Sequence, residues 1–305
     1  MHTMDWTQRL RIRQLHVLVA LYETRNVSHT AERLSMTQPA LSRWLAELEG
    51  ELGVALFERH SRGLVPTRFC DALVVHARTI LSEIERTQAT IRVMADGAAG
   101  QLAIGATPTV AVDLLPGAIR RFRAAFPDAH LTLAEGTVED MLPALREGRL
   151  DFVVGRTEVQ GIDAPLRCDL LYAETIRVIA GPTHPLARRR KLKWEETRPY
   201  TWIGPPPNSQ IRRELDYELA LAGEPAPTVR IESATVLANV ALLQQGELLA
   251  VMSGRMAAYF RALGQVVPLP LPYRREGTVG VLRHRNAEQT PMRQAFMAAL
   301  LEAAG

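Results

Sequence analysis

The chain has 305 residues, of which 47% are apolar and 23% charged, and a formal net charge of +3, which describes a soluble globular protein with room for two or three compact units. No apolar run approaches the 18 or so residues that span a bilayer, and the opening MHTMDWTQRLRIRQL has early charge but no apolar secretion core. The two cysteines, Cys70 and Cys168, lie far apart and suit a reduced cytoplasm rather than a structural disulfide.

In chain order, the first expected helix places Ile12, Leu15, Leu18, Val19 and Tyr22 inward. A second runs from about Val27 to Leu34 with Val27, Ala31 and Leu34 inward, and Ser35 and Met36 form a tight turn. Thr37 then offers an N-cap hydroxyl, and Pro39 sits in the first turn, where its missing N–H costs nothing. Leu41, Trp44, Leu45, Leu48 and Leu52 make one apolar stripe at spacings of three and four, which leaves Gln38, Ser42, Arg43 and Glu47 off it. Leu52-Gly53 supplies a left-handed cap. Two extended segments, Ala55–Glu58 and Leu64–Pro66, flank Arg59, His60, Ser61, Arg62 and Gly63, which reads as a small wing with cations at its tip. A supporting helix, a capped helix with Gln, Ser and Arg in its opening turn, and a cationic wing are what a winged helix-turn-helix DNA reader requires. Spacing alone also allows a plain αα-hairpin in a core. Charge does not decide the matter, since residues 1–68 carry nine arginines against seven carboxylates. So few cations imply that binding relies on dimerisation to double the phosphate contacts.

The motifs RIRQL at 11–15, AERL at 31–34, TQPALSR at 37–43, LE at 48–49, ELG at 51–53 and LFER at 56–59 together resemble the N-terminal domain of LysR-type transcriptional regulators. The match runs in order and without gaps over about sixty residues. One departure follows the wing: many members continue Leu-Thr-x-x-Gly, whereas this chain has Val65-Pro66-Thr67-Arg68-Phe69-Cys70, with Thr67 kept as a cap for the next helix. The resemblance implies an all-α winged helix-turn-helix, a linker helix and a two-lobed α/β effector domain shaped like periplasmic binding proteins. It also implies a tetramer built as a dimer of dimers and contact with RNA polymerase.

Thr67–Ala95 is almost free of helix breakers. Leu73, Ala77, Ile80, Ile84, Thr87, Ile91 and Met94 recur at alternating spacings of 4 and 3, which is a heptad seam and predicts a two-stranded coiled coil. Packing of the helix on its own domain is the alternative. Asp96–Gly100 would be a hinge. A dimerising rod sets the separation of two recognition helices, as a pseudo-palindromic operator demands.

From Gln101 the pattern alternates between strand and helix: strands at Leu102–Ala106, His130–Glu135 and Leu150–Gly155, and helices at Leu114–Ala125 and Val138–Glu147. That βαβαβ order predicts a parallel sheet. A second set holds strands at Ile176–Ala180, Thr201–Ile203, Val229–Glu232 and Leu248–Met252, with helices over Ile211–Ala222 and Val236–Gln245. A strand at Val279–Leu282 and a helix over Met292–Ala303 close the chain. The expected domains are a DNA-binding unit at 1–66, a dimerising helix at 67–96 and an effector-binding unit at 97–305. Within the last, lobe I covers about 101–162 and 268–305 and lobe II about 163–267, with crossovers near 160–165 and 266–270.

Ligands of open α/β lobes sit beyond the carboxyl ends of strands, beside helix N-termini that favour anions. Three loops qualify: Thr107, Thr109 and Val110 after the first strand, Ser209 and Gln210 entering one helix, and Ser233 and Thr235 entering another. In the resembled family these loops line the effector cleft; taken singly, each Ser or Thr is also an ordinary helix cap. The expected effector is a small organic acid or similar metabolite, with Arg156 and Arg212 as candidate counter-charges. DNA contacts are expected from Thr37, Gln38, Pro39, Ser42, Arg43, Arg59 and Arg62, and dimer contacts from Leu73, Ala77, Ile80, Ile84, Ile91 and Met94. The basic run Arg188–Lys193 reads as a solvated face, Trp44 as core, and Trp194 and Trp202 as packing beneath the second lobe. No metal site and no cofactor are expected. The chain has no GxSxG elbow, no GxxxxGK[ST] loop and no GxGxxG after a strand, which argues against an enzyme. A solute-binding protein would need an export signal, and an architectural DNA protein would not need some 200 residues of hinged α/β structure.

Overall fold

The computed structural model describes residues 10–60, 63–95, 100–158, 162, 165–207 and 209–305, without the side chains of 89, 90 and 92–94. The chain divides into an N-terminal unit and a larger α/β unit.

In the N-terminal unit, α1 (Ile12–Thr24), α2 (Val27–Arg33) and α3 (Gln38–Leu52) precede a hairpin of β1 (Phe57–His60) and β2 (Gly63–Pro66), and α4 (Arg68–Ala95) follows. Leu15, Leu18 and Leu21 of α1 meet Ala31, Leu41, Leu45, Leu48, Leu56 and Leu64 in one core. Ile12, the first residue of α1, is 52% exposed, contrary to the inward position expected for it, while Val17 and Leu21 join Leu15 and Leu18 in the core. The turn before α3 puts Ser35 at φ 53°, with its N–H donated to Glu32 O and that of Met36 to Ala31 O. Gly53 ends α3 at φ 70°, where the left-handed region suits a residue without Cβ. The hairpin lies about two residues further on in its first strand than expected.

α4 divides its apolar residues between two faces. Cys70, Val74, Ala77 and Leu81 are buried in the core of this same unit, and Leu73 packs against it. The seam expected through Leu73 and Ala77 is corrected here: Ala77 is 1% exposed and spends its surface on its own domain. Ile80, Ile84 and Ile91 point outward, together with Phe69 and Val75. The side chain of Met94 lies outside the described residues, as do residues 96–99 of the expected hinge. Burial pushes the Cys70 thiol up to about 12, which leaves it inert.

In the second unit, lobe I is a five-stranded sheet in the order β4-β3-β5-β12-β6, with β3 (Gly100–Ala106), β4 (Ala129–Glu135), β5 (Phe152–Arg156), β6 (Leu166–Glu174) and β12 (Gly277–His284). β4, β3 and β5 run parallel, and β12 is antiparallel to both β5 and β6. The parallel part is the expected βαβαβ set, with crossovers through α5 (Pro108–Val112), α6 (Leu114–Ala125) and α7 (Val138–Arg146). Phe122, Phe152 and Phe296 anchor the core under α6 and the closing helix α11 (Pro291–Ala304). Lobe II is a second sheet in the order β11-β7-β10-β8-β9, from β7 (Ile176–Ala180), β8 (Thr201–Gly204), β9 (Val229–Glu232), β10 (Leu248–Ser253) and β11 (Val267–Pro268). Its helices are α8 (Gln210–Ala222), α9 (Val236–Leu243) and α10 (Gly254–Ala262). Trp194 and Trp202 are buried in its core, with Leu269 and Leu271.

The lobe boundaries therefore move. β6 belongs to lobe I, since it pairs with β12 from Leu166 to Glu174, so the first crossover lies at Thr175 rather than near 160–165. The return crossover follows β11 and Leu271 and ends where β12 begins at Gly277, later than 266–270. β6 was missed because, as an edge strand, it alternates buried and exposed residues only weakly. No helix among the described residues is long and apolar enough to cross a membrane.

Candidate functional site

Two sites are built by these elements, one in each unit. The first is the opening turn of α3. Thr37 has extended backbone, and its hydroxyl accepts from Ala40 N at 3.3 Å, which satisfies one of the helix's free donors. Leu41, Leu45 and Leu48 are buried, so the helix is held by that stripe. This orientation leaves Thr37, Gln38, Pro39 and Arg43 exposed and Ser42 half-buried. Trp44 is half-buried against the core. In the wing Arg59 and His60 are exposed, and Arg62 lies outside the described residues. Neither Arg43 nor Arg59 has an ion-pair partner among the described residues, so both guanidinium groups are available to an external anion.

Two residues that sequence reasoning assigned no role hold the wing in place. The Glu49 carboxylate accepts from Leu56 N at 2.7 Å and Phe57 N at 3.1 Å, which ties the end of α3 to the base of the wing. The carbonyl of Arg25 accepts from Leu64 N at 2.9 Å, which ties the wing to the turn after α1. Charge-assisted bonds of the Glu49 kind fix geometry strongly. The spacing between α3 and the wing thus rests on a half-buried carboxylate, a signal that only the LE motif at 48–49 carries in the sequence.

The second site is the cleft between the lobes of the α/β unit. Thr107 precedes α5; its hydroxyl makes no cap bond and its side chain lies half-buried against Gly155. Thr109 shares a 2.9 Å hydrogen bond with Ser253 of β10, so its hydroxyl joins the lobes. Val110 is fully buried in the lobe I core, and its side chain is corrected from effector contact to packing. Ser209 caps α8, accepting from Arg212 N at 3.3 Å while donating to Pro206 O at 2.7 Å. Gln210 donates to Glu158 of lobe I at 2.8 Å. Ser233 accepts from Thr235 N at 3.1 Å, and Thr235 is exposed.

The two expected counter-charges are already engaged. Arg156 of β5 pairs with Glu214 of α8, lying flat on Gly277, where a Cβ would collide with its guanidinium. Arg212 pairs with Asp216 one turn along α8 at 2.9 Å. The spacing of four in the sequence announces the second pair; the first joins residues 58 apart and has no local signal. Burial pushes the Glu214 carboxyl above its ordinary range, and Arg156 opposes that shift. Glu174 is likewise raised by burial, against the pull of the Arg255 backbone N–H and of Arg156.

Sequence reasoning also missed Arg255, the first turn of α10. Its guanidinium donates to Asp113 at 2.9 Å and to Ala304 O at 3.2 Å, and stands 3.7 Å over the Tyr172 ring. Its backbone N–H donates to Glu174 at 3.0 Å. All four partners belong to lobe I, so Arg255 is a latch reaching from lobe II. The basic run at 188–193 is a solvated face, with Arg189 bonded to Glu196 and Lys193 near Glu195. Among the described residues no group of three or more His, Cys, Asp or Glu is placed to hold a metal ion.

Comparison with known proteins places the chain in one family over nearly its whole length. The family described as bacterial regulatory helix-turn-helix protein, lysR family, matches residues 12–71, and the LysR substrate binding domain matches residues 95–305. The chain is 31% identical to the HTH-type transcriptional regulator GbpR of Azospirillum brasilense, over 86% of this chain and 77% of that protein. It is 32% identical to the HTH-type transcriptional regulator GalR of Pseudomonas putida, over 94% of this chain and 72% of that one. Full-length CbnR in complex with its target DNA has a similar fold, with a TM-score of 0.64 at 21% identity, over 97% of this chain and 100% of CbnR.

Proposed function

The chain belongs to the LysR family of DNA-binding transcriptional regulators, and from that premise we propose how its residues divide the work. The exposed, capped first turn of α3 carries the reading. Gln38, Ser42 and Arg43 meet base edges in the major groove, Thr37 and Pro39 set the helix tip, and Arg59 and Arg62 hold phosphates beside it. Ile80, Ile84 and Ile91, outward on α4, pair with a second copy, and the dimer, joined into a tetramer, presents two readers to a pseudo-palindromic operator in the cytoplasm. RNA polymerase is the partner that such a complex addresses.

The cleft takes a small-molecule effector. Thr107, Thr109 and the backbone donors at the start of α8, around Ser209 and Gln210, supply hydrogen bonds, and Ser233 and Thr235 close the rim. An organic acid entering there competes with Glu214 for Arg156. Because that ion pair joins the lobes, its exchange gives the ligand differential affinity for two lobe arrangements, which any ligand-driven change requires. The regulatory role leaves catalysis without a part. The test is fluorescence anisotropy on DNA selected by the protein from a random pool, with and without a panel of organic acids. A sequence-selective complex whose affinity shifts with one acid, and no longer shifts in Thr107→Val, is expected. No selected sequence would refute the DNA reading, and an unchanged response in Thr107→Val would move the pocket elsewhere.

A further inference from the structure

The lobe I sheet has a second ligand-sized depression at the end of its strands opposite the cleft. Thr107 and Arg156 mark the cleft at the carboxyl ends of β3 and β5. The depression lies at the start of β5 and the end of β12, under α11, and encloses about 280 Å³. That is just under the volume of about 300 Å³ at which ligand pockets begin, room for a small molecule only. Phe152, Met297, Ala298 and Leu301 give it an apolar wall, and Arg283 and Arg293 line its polar side.

The charge arrangement there is unbalanced in a specific way. Asp169 accepts from Arg167 Nε at 2.8 Å and from Arg283 Nε at 3.0 Å, so one carboxylate serves two guanidinium groups. The two Nη atoms of Arg283 have no acceptor among the described residues, although its side chain is only 15% exposed. A largely covered cation whose Nη donors are reached by solvent, beside an apolar wall, matches a molecule with a carboxylate at one end and a hydrocarbon body at the other. Arg293 is differently placed: it donates to Glu288 O at 2.9 Å and pairs with Asp151. Asp151 in turn accepts from Ala103 N of β3 at 2.8 Å. Arg293 is thereby linked, through Asp151, to the strand that opens the α/β unit.

We propose that this groove is a second binding site, for a small amphipathic carboxylate held by the Arg283 Nη atoms, with its apolar body on Met297, Ala298 and Leu301. It is separate from the effector cleft and independent of what the cleft binds. The experiment uses the full chain with ¹³C-methyl-labelled methionine, and phenylacetate as the probe. The Met297 resonance is assigned from its loss in Met297→Leu. Phenylacetate is expected to shift that resonance saturably in the millimolar range. Arg283→Gln should weaken the binding about tenfold, the loss expected of one charge-assisted hydrogen bond. Ala298→Leu, at an exposed position that leaves the core untouched, should fill the groove and abolish the shift. Phenethylammonium, of the same shape and opposite charge, should leave the resonance in place. Absence of any saturable shift, equal affinity in Arg283→Gln, or an equal shift with phenethylammonium would overturn the proposal. Each readout sits at Met297, so a silent effector cleft does not affect it.

Discussion

Arg255→Met removes the lobe-to-lobe latch while keeping an unbranched apolar stem over the Tyr172 ring. The side chains of Arg255 and Asp113 are each about one-third exposed, 33% and 31%, so solvent screens their ion pair and it contributes up to about 1 kcal/mol. The guanidinium over Tyr172 adds about 1 kcal/mol, and the bond to Ala304 O about 0.5–1 kcal/mol. These terms share one side chain and do not add fully, so the expected loss is about 2 kcal/mol. Applied to the equilibrium between docked and separated lobes, that is roughly a 30-fold change. Hydrogen exchange reads it directly. The amides of Gly254 and Arg255 donate to Thr175 O at 2.7 Å and to Glu174 at 3.0 Å, bonds that bind α10 to the end of β6 and the crossover. Their protection should fall about 30-fold in Arg255→Met, while amides in the centres of β7 and β10 hold theirs. Unchanged protection at 254 and 255 would refute the latch. An equal loss throughout both lobes would also refute it, since that reports global destabilisation instead.

Arg43→Ala should cost about 1–3 kcal/mol on the selected DNA and relax base preference at one position, as followed by anisotropy on single-base variants of the site; an unchanged preference would reject the assigned register. Ile84→Asp, at an outward position on α4, should shift the sedimentation profile toward smaller species while the melting temperature of the N-terminal unit holds. Ala77→Leu should do the reverse, overfilling the domain core without touching the oligomer. Glu174→Gln should raise thermal stability at neutral pH. Burial raises the Glu174 pKa, so the stability linked to its protonation is present at low pH and is lost as pH rises through the folded value. The advantage of the amide should therefore shrink as melts are taken from pH 7.5 toward pH 5, and an advantage that grows on acidification would contradict the sign.

The recognition turn was legible in the chain because its determinants are local. Thr37, Pro39 and the stripe from Leu41 to Leu52 specify a capped helix with one buried face, and whatever lies off that face is exposed. The same holds for α6 and β7, whose boundaries coincide with the periodicity that announced them. The α4 seam shows where such reading stops. A repeat of three and four identifies an apolar stripe but not its partner, and Ala77 turned out to face its own domain because Cys70, Val74 and Leu81 share that side.

The lobes mark the same divide. Sequence determined that two α/β sets exist, that hydroxyls follow their strands, and that Ser209 stands where a helix must be capped. It did not determine that β6 would cross to the first sheet, nor that Arg156 would meet Glu214, Thr109 meet Ser253, or Arg255 meet Asp113. Those partners lie many tens of residues apart, and no propensity or period in either segment refers to the other. Only closure of the tertiary structure, which trades the solvation of a charge for one particular neighbour, decides which of the chain's charges meet inside the protein.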